Sequence, residues 1–459
     1  MEKHNLIVFL TDQQRGDTLG LYGNPSNLTS NLDYYGRRGT YFRKAFTPQP
    51  VCGPARSVMQ TGKYATQTGC FRNMIPLRLT EETVAKLLGR EGYQTGYIGK
   101  WHLGDPDSHG PVVEQERGGY QYWLAANLLE FVSDAYDTRL WDNHNNELRL
   151  PGYRVDALTD AAIRFIKEHQ HHPFFLFVSL LEPHHQNHLD HYPAPEGYEE
   201  KFRDAWVPQD LRALGGSTAQ HLSGYYGMVK RIDEAFGRLM DALHSLSLYQ
   251  KTGVIFTSDH GNQFKTRNEE YKRTPHDSAI HVPMVLCGGR YDAGREVKKL
   301  VSLIDVVPTL LETAGVSLPD GLQGRSLLPL LDQRSPDWRD SVFIQISETQ
   351  IGRAVRSERW LYGAVGTQGD PWEDSQCSTY EGTYLYDLKA DPFELHNLIN
   401  YKSHQSIELE LQKLLSFHMQ KAGEDDFTLL SSQGDKSRYN TLMAEDQYPY
   451  FPKELKNFR

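Results

Sequence analysis

Four short apolar runs, each broken off by polar residues, constrain this chain more than any other feature. They are NLIVFLTDQQ from Asn5, GYIGKWHLG from Gly96, PFFLFVSLLEPHH from Pro173 and TGVIFTSDHGN from Thr252. A short run of large apolar residues fits a strand buried on both faces, as in a parallel sheet covered by helices. VPMVLCGG, from Val282, reads as one more strand. The stretches VDALTDAAIRFIKEH and YYGMVKRIDEAFGRLMDALHSL carry apolar residues at helical spacing, and TVAKLLGREG and IDVVPTLLETAG read as further helices. Alternating strands and helices predict an α/β fold, a large and mostly parallel sheet sandwiched by helices. Ligands of such sheets bind beyond the carboxyl ends of the strands. The polar exits Asp12–Gln13, Lys100–His102, His184 and Asp259–His260 therefore fall on one rim. Packing alone gives no reason for them there.

Past residue 340 the pattern changes. SVFIQISE, IGRAVRSERWLYGAV and TYLYDL read as short strands, followed by one helix over Ser406–Ala422. This predicts a smaller α+β C-terminal subdomain, with a division into residues 1–340 and 341–459. The last stretch, 423–459, has little periodicity and reads as an irregular surface tail.

Bulk properties exclude several classes. With 49 Lys and Arg against 59 Asp and Glu the net charge is −10, so nothing argues for a nucleic-acid partner. The longest apolar runs, Leu6–Leu10 and Phe174–Leu181, are too short to span a bilayer. MEKHN leads straight into a strand, so the expectation is a cytoplasmic protein, or a periplasmic one if a leader has been removed. The four cysteines, Cys52, Cys70, Cys287 and Cys377, show no CxxC spacing, against both a disulfide scaffold and a zinc cluster.

One cysteine stands apart. PVCGPARSVMQTGKY, residues 50–64, places Cys52 in a turn before a helix, with Arg56 four residues on. The motif Cys-x-Pro-x-Arg, the TG at Thr61, GYIGKWHLG, EPHH at Glu182, TSDHG at Thr257 and LIDVVPTLLETAG…LQGRSLLPLL over Leu303–Leu331 occur in order along the chain. Together they resemble the type I, formylglycine-dependent sulfatases of the alkaline-phosphatase-like superfamily. YLYDLKADPFELHNL, from Tyr384, is similar to that family's C-terminal strand and turn.

The resemblance implies a chemistry. Cys52 would be oxidised to formylglycine by a maturation enzyme and hydrated to a geminal diol. One hydroxyl would attack sulfur, and loss of the second proton would expel sulfate, a covalent route that splits one hard step into two. Asp12, Gln13, Cys52, Asp259 and His260 would hold a divalent metal. Mostly oxygen ligands favour Ca2+, with Mg2+ or Mn2+ possible because Gln13 and His260 stand where many relatives have aspartate and asparagine. Arg56 would hold the diol and loop oxygens. Lys100 and Lys272 would grip the sulfate, with Lys265 a competitor for the second place. His102 would accept the proton that triggers ester breakdown, and His184 would act as general acid.

Two polar loops flank these motifs, PHHQNHLDHYPAPEGY and GNQFKTRNEEYKRTPHD. Their composition suits sugar hydroxyls, so a sulfated carbohydrate is the expected substrate, with His185, Gln186, His188 and Arg267 as contacts. Two alternatives stand beside this reading: a phosphonate monoester or phosphodiester hydrolase of the same superfamily, and an inactive binding homologue. Neither the oligomeric state nor the sulfated position is legible.

Overall fold

A computed structural model describes residues 3–332 and 337–432. Its larger sheet has eleven strands: β1 (Asn5–Thr11), β2 (Thr40–Phe46), β3 (Gln94–Lys100), β4 (Tyr122–Ala126), β5 (Thr138–Trp141), β6 (Glu147–Leu150), β7 (Phe174–Ser179), β8 (Thr252–Ser258), β9 (His281–Val282), β10 (Met284–Cys287) and β11 (Arg295–Ser302). Across the sheet the order is β11-β2-β10-β8-β1-β7-β3-β4-β5-β6, with β9 paired to β2.

The four apolar runs form the centre, β8-β1-β7-β3, and all three of their pairings are parallel. Every residue of β1, β7 and β8 is buried. Leu6, Val8 and Leu10 of β1 pack to one side, with Met59, Leu88 and Leu310 from the helices Cys52–Thr61, Val84–Arg90 and Val306–Thr313. Ile7 and Phe9 pack to the other, with Phe165 and Phe236 from the helices Arg154–His169 and Thr218–Ser245. This two-sided burial is why the strands read as continuous apolar runs rather than alternating ones.

The sheet is less uniformly parallel than the alternation predicts. The parallel order continues to β4 and recurs between β11 and β2, but β10 runs antiparallel to both β8 and β2, and β5 and β6 form an antiparallel pair. The sequence reading omits β2, β4, β5, β6 and β11. All but β4 interleave charged residues with apolar ones, as in TYFRKAF and REVKKLVS, because one face is partly exposed; β4, YWLAA, is short.

A second sheet of five strands follows: β12 (Ser341–Ile346), β13 (Gly352–Ser357), β14 (Trp360–Gly366), β15 (Thr379–Asp387) and β16 (Thr428–Leu430). The helix Gln405–Lys421 covers it through Leu411, Leu415 and Met419. β16 pairs parallel with β15 and corrects the expectation of an irregular stretch from residue 423. The rest of the expected tail, 433–459, lies outside the described residues. Among the described residues no helix is long and apolar enough to cross a membrane.

The topology has one consequence for chemistry. Because β8, β1, β7 and β3 are consecutive neighbours, the four polar exits at their carboxyl ends are also neighbours. The exits are tied together: Asp259 N donates to Thr11 O at 3.1 Å, Leu180 N to Leu10 O at 2.9 Å and Gln14 N to Ser258 Oγ at 2.8 Å.

Candidate active site

Cys52 is the first residue of the helix Cys52–Thr61, after Val51 in extended conformation. Pro54 suits this first turn, where a missing N–H leaves nothing unpaired. The helix sets the Cys52 side chain against the strand ends, 1% exposed. Its Sγ lies 2.8 Å from Lys272 Nζ, 3.2 Å from His260 Nε2 and 3.6 Å from Asp12 Oδ1. Burial would raise the thiol's pKa, but chiefly the charges of Lys100 and Lys272 bring it well below the usual range, with a hydrogen bond from His102 adding to them.

Asp12 is the hub on the other side. Its Oδ2 accepts from Arg56 at 3.0 Å and from Lys100 Nζ at 2.9 Å. Burial and Cys52 would raise this carboxyl; Lys100, His184 and Arg56 outweigh them and hold it well below the carboxylate range. Asp259 goes the other way, pushed up to about 7 by burial first and by the charge of Asp12 second. Its Oδ1 is satisfied by Gln13 N at 3.1 Å and His260 N at 2.8 Å. Its Oδ2 lies 3.2 Å from Arg56 but makes no hydrogen bond.

Four observations fit these residues to a metal. Asp12, Cys52, Asp259 and His260 each offer a donor atom, and all four atoms lie within 4.8 Å of one another. Gln13 is wholly buried, yet both its amide atoms lack a partner, a costly arrangement for a polar group kept from water. It is held there by a left-handed backbone, φ 69°, uncommon for a residue with a side chain. His260 has its Nδ1 beside Gly261 O at 2.8 Å, so Nδ1 carries the proton and the Nε2 lone pair faces the site. A cation among these atoms would satisfy the orphaned groups together.

The cations of the site divide by role. Arg56 is engaged through both outer nitrogens, though its Nε has no partner: besides Asp12 it donates to Lys100 O at 2.9 Å and Ser179 Oγ at 2.6 Å, and with Asp259 Oδ2 at 3.2 Å it braces the two carboxylates. Lys100 bridges Asp12 and Glu130, each at 2.9 Å. Lys272 Nζ sits between Cys52, His260 Nε2 at 3.1 Å and His184 Nε2 at 3.4 Å. Lys265, its competitor by sequence, pairs with Asp190 at 3.0 Å and lies over the Tyr271 ring, away from this cluster. His184 presents Nδ1 to His185 O at 2.6 Å, and burial, followed by the charge of Lys272, lowers its pKa. His102, like Gln13, has a left-handed backbone, φ 61°, and its Nδ1 has no partner.

The expected sugar contacts fare unevenly. His188 is exposed, 3.4 Å from Asp134. His185 stacks between His184 and Tyr271, with ring centroids 4.4 Å from each. Gln186 and Arg267 need correction. Gln186 is buried and donates to the carbonyls of Glu130 and Ser133 at 3.0 and 3.1 Å, so it anchors a loop. Arg267 is buried, and its guanidinium donates to the carbonyls of Glu394 and Phe393 at 2.7 and 2.8 Å. A sequence shows a polar loop but not which of its polar groups the chain itself consumes. Arg267→Ala is therefore expected to lower unfolding stability by about 1–3 kcal/mol, since two carbonyls lose donors. It should slow all substrates alike, which denaturant midpoints and paired rate measurements would check.

Sequence reading missed Glu130. It lies in the helix Leu129–Val132 just past β4, 4% exposed, with Oε1 on Lys100 and Oε2 unpartnered. An isolated acid inside LLEFV, following a strand next to β3, is the signal that could have found it. A cavity of about 380 Å³ opens beside it, lined by Glu130, Asp134, Arg139, Trp141, Gln186 and His188 among others.

The sulfatase family profile matches residues 4–316. That of the N-sulphoglucosamine sulphohydrolase C-terminal region matches residues 270–421. An ulvan-active sulfatase of Formosa agariphila is 29% identical, over 92% of this chain and 82% of its own. An N-acetylglucosamine-6-O-sulfatase of Bacteroides thetaiotaomicron is 23% identical, over 93% and 88%. Among solved structures, one bound to its substrate D-glucosamine-2-N,6-O-disulfate superposes with a TM-score of 0.75 at 21% identity, covering 93% of this chain and 99% of its own. A phosphonate monoester hydrolase of Agrobacterium radiobacter gives 0.71 at 24%, covering 91% and 96%.

Proposed function

Because this chain belongs to the sulfatase family and is a sulfuric ester hydrolase, we propose that its substrate is a sulfated carbohydrate, and that Cys52 and the groups around it carry the reaction. The observation that carries the reading is the convergence, about one buried cysteine, of two lysines, three histidines and two carboxylates from four adjacent strand ends and one loop. Formylglycine at position 52 would supply a nucleophile able both to take up sulfate and to release it, and a divalent cation held by Asp12, Gln13, Asp259 and His260 would supply a Lewis acid. We expect Ca2+ there, with Mg2+ or Mn2+ as the alternatives, from the mostly oxygen donor set.

Residues of the chain do the rest. Lys100 and Lys272 place two ammonium groups where sulfate oxygens gather charge. His184 is suited to protonate the bridging oxygen. With Nδ1 committed to His185 O, it can donate only from Nε2 as an imidazolium. Lys272 works against that form, and the negative charge of a bound sulfate ester would offset Lys272. His102, hydrogen-bonded to Cys52, is placed to accept a proton at position 52. Glu130 holds Lys100 from behind and keeps Asp12 from neutralising it alone.

The family relatives that act on sugar sulfates support a carbohydrate as leaving group, and so does the cavity beside Glu130. Its polar walls and Trp141 offer the hydrogen bonds and apolar surface a sugar ring uses. The test is release of inorganic sulfate from defined sulfated mono- and disaccharides, beside a nitrophenyl sulfate, a phosphodiester and a phosphonate monoester. At least one sugar sulfate should exceed all three in kcat/KM. His188→Ala should lower kcat/KM on that sugar by about tenfold and leave the nitrophenyl ester nearly unchanged, because remote contacts orient the reacting centre. A preference for the phosphonate or phosphodiester would refute the proposed substrate.

A further inference from the structure

The nucleophile loop and the Lys272 loop meet at the site itself, where Lys272 Nζ lies 2.8 Å from Cys52 Sγ, and a second link runs behind it. Between them stands the start of the C-terminal subdomain. Gln345 N, near the end of β12, donates to Pro48 O at 2.8 Å, and Ser347 Oγ accepts from Gln49 Nε2 at 2.8 Å. Glu348 goes further. Its carboxylate, 1% exposed, accepts at Oε1 from Asn73 N at 2.7 Å, while Asn73 Oδ1 accepts from Gly53 N at 2.9 Å. Its Oε2 accepts from Arg273 Nε at 2.5 Å and pairs with the same guanidinium's outer nitrogen. Thr349 Oγ1 donates to Arg273 O at 3.0 Å. One buried carboxylate thus joins the residue after Cys52 to the residue after Lys272.

The backbone around this joint is unusual on both sides. Glu348 and Arg273 have φ of 68° and 75°, conformations residues with side chains adopt only where the surroundings impose them. Glu270 takes up the remaining Arg273 nitrogen at 2.8 Å, so the guanidinium has no freedom to seek substrate. The Lys272 carbonyl is held from inside the loop by Gln263 at 3.0 Å and Asn268 at 3.2 Å. Arg267 and His276 also tie this loop to the C-terminal subdomain, at Glu394, Phe393 and Tyr386, but the contacts to Glu348 and Thr349 are the ones that lead on through Asn73 to the cysteine's helix.

We infer that Glu348 is a positioning residue: through Asn73 on one side and Arg273 on the other it sets the distance between the position-52 nucleophile and Lys272, so the C-terminal subdomain completes the active site. This rests on the reading of Lys272 as a sulfate-binding group. A displacement of about 1 Å at such a site can cost on the order of a hundredfold in rate.

A double-mutant cycle on the matured, metal-loaded enzyme tests it. Glu348→Gln keeps the acceptor for Asn73 but turns an amide donor toward Arg273, so it opens only the Lys272 half of the joint. Alone it should lower kcat/KM on nitrophenyl sulfate by about tenfold or more, with metal content unchanged. In a Lys272→Ala background, itself slowed on the order of a hundredfold, it should change the rate by less than about twofold, because the ammonium it positions is gone. Arg273→Lys, which removes the planar fork but keeps the charge, should behave the same way and serves if Glu348→Gln folds poorly. Full multiplication of the two losses would overturn the inference and leave Glu348 a general stabiliser. An undiminished rate for Lys272→Ala alone would instead remove the assignment of that lysine, and the inference with it.

Discussion

Cys52→Ala is expected to abolish turnover, by on the order of 10⁴-fold or more, as loss of a nucleophile does. The fold should survive. The side chain is small, buried at a helix start, and its polar neighbours Lys272, His260 and Asp12 keep one another as partners. Cys52→Ser separates two accounts of the chemistry. A serine hydroxyl stands at the same Cβ and can take a sulfuryl group, but it has no second oxygen on that carbon with which to expel it. The variant should therefore show one sulfate transferred per molecule and then stall, seen as a stoichiometric burst of leaving group and a sulfated peptide. Sustained multiple turnover by the serine variant would refute the account.

Asp12→Ala should have the second largest effect, and on two readouts at once. It removes a charged donor from the proposed metal site, so bound metal and activity should fall together. It also strands Lys100 and Arg56, both buried and both hydrogen-bonded to Asp12 Oδ2. Removing one member of a buried ionic group typically costs about 3–5 kcal/mol. Glu130 and Asp259 remain to hold part of the charge, which places the loss toward the lower end. Asp259→Ala should lose metal with a smaller stability loss, because Asp259 faces one cation, Arg56, where Asp12 holds two, although the N–H groups of Gln13 and His260 lose their acceptor. Elemental analysis with thermal melts of both variants checks this. Full metal occupancy in both would sink the assignment.

Much of this was legible in the sequence for a physical reason. Strands buried on both faces must be continuously apolar, so a polar residue at the end of one is conspicuous, and Asp12, Lys100, His184 and Asp259 each stand at such an end. The topology then made four sequence-distant exits spatial neighbours. What stayed hidden is of another kind. Arg267 and Gln186 look like ligand-binding groups in polar loops, and only the folded backbone reveals the carbonyls that consume them. Glu348 follows a strand of a separate sheet, and nothing near it in the sequence connects it to Asn73 or Arg273. The flanking strands escaped because half-exposed strands such as β11 interleave charge with apolar residues and lose the signal that marks β1.

Turnover depends on what occupies position 52 in the working enzyme. The tryptic peptide Ala45–Arg56 contains that position and ends at the arginine that braces the carboxylates. Its mass should be measured in protein made with and without a formylglycine-generating enzyme, together with sulfatase activity on the same samples. The expected result is an aldehyde in place of the thiol, with activity proportional to the converted fraction and none in unconverted protein. Full activity in protein whose Cys52 remains an intact thiol would contradict it.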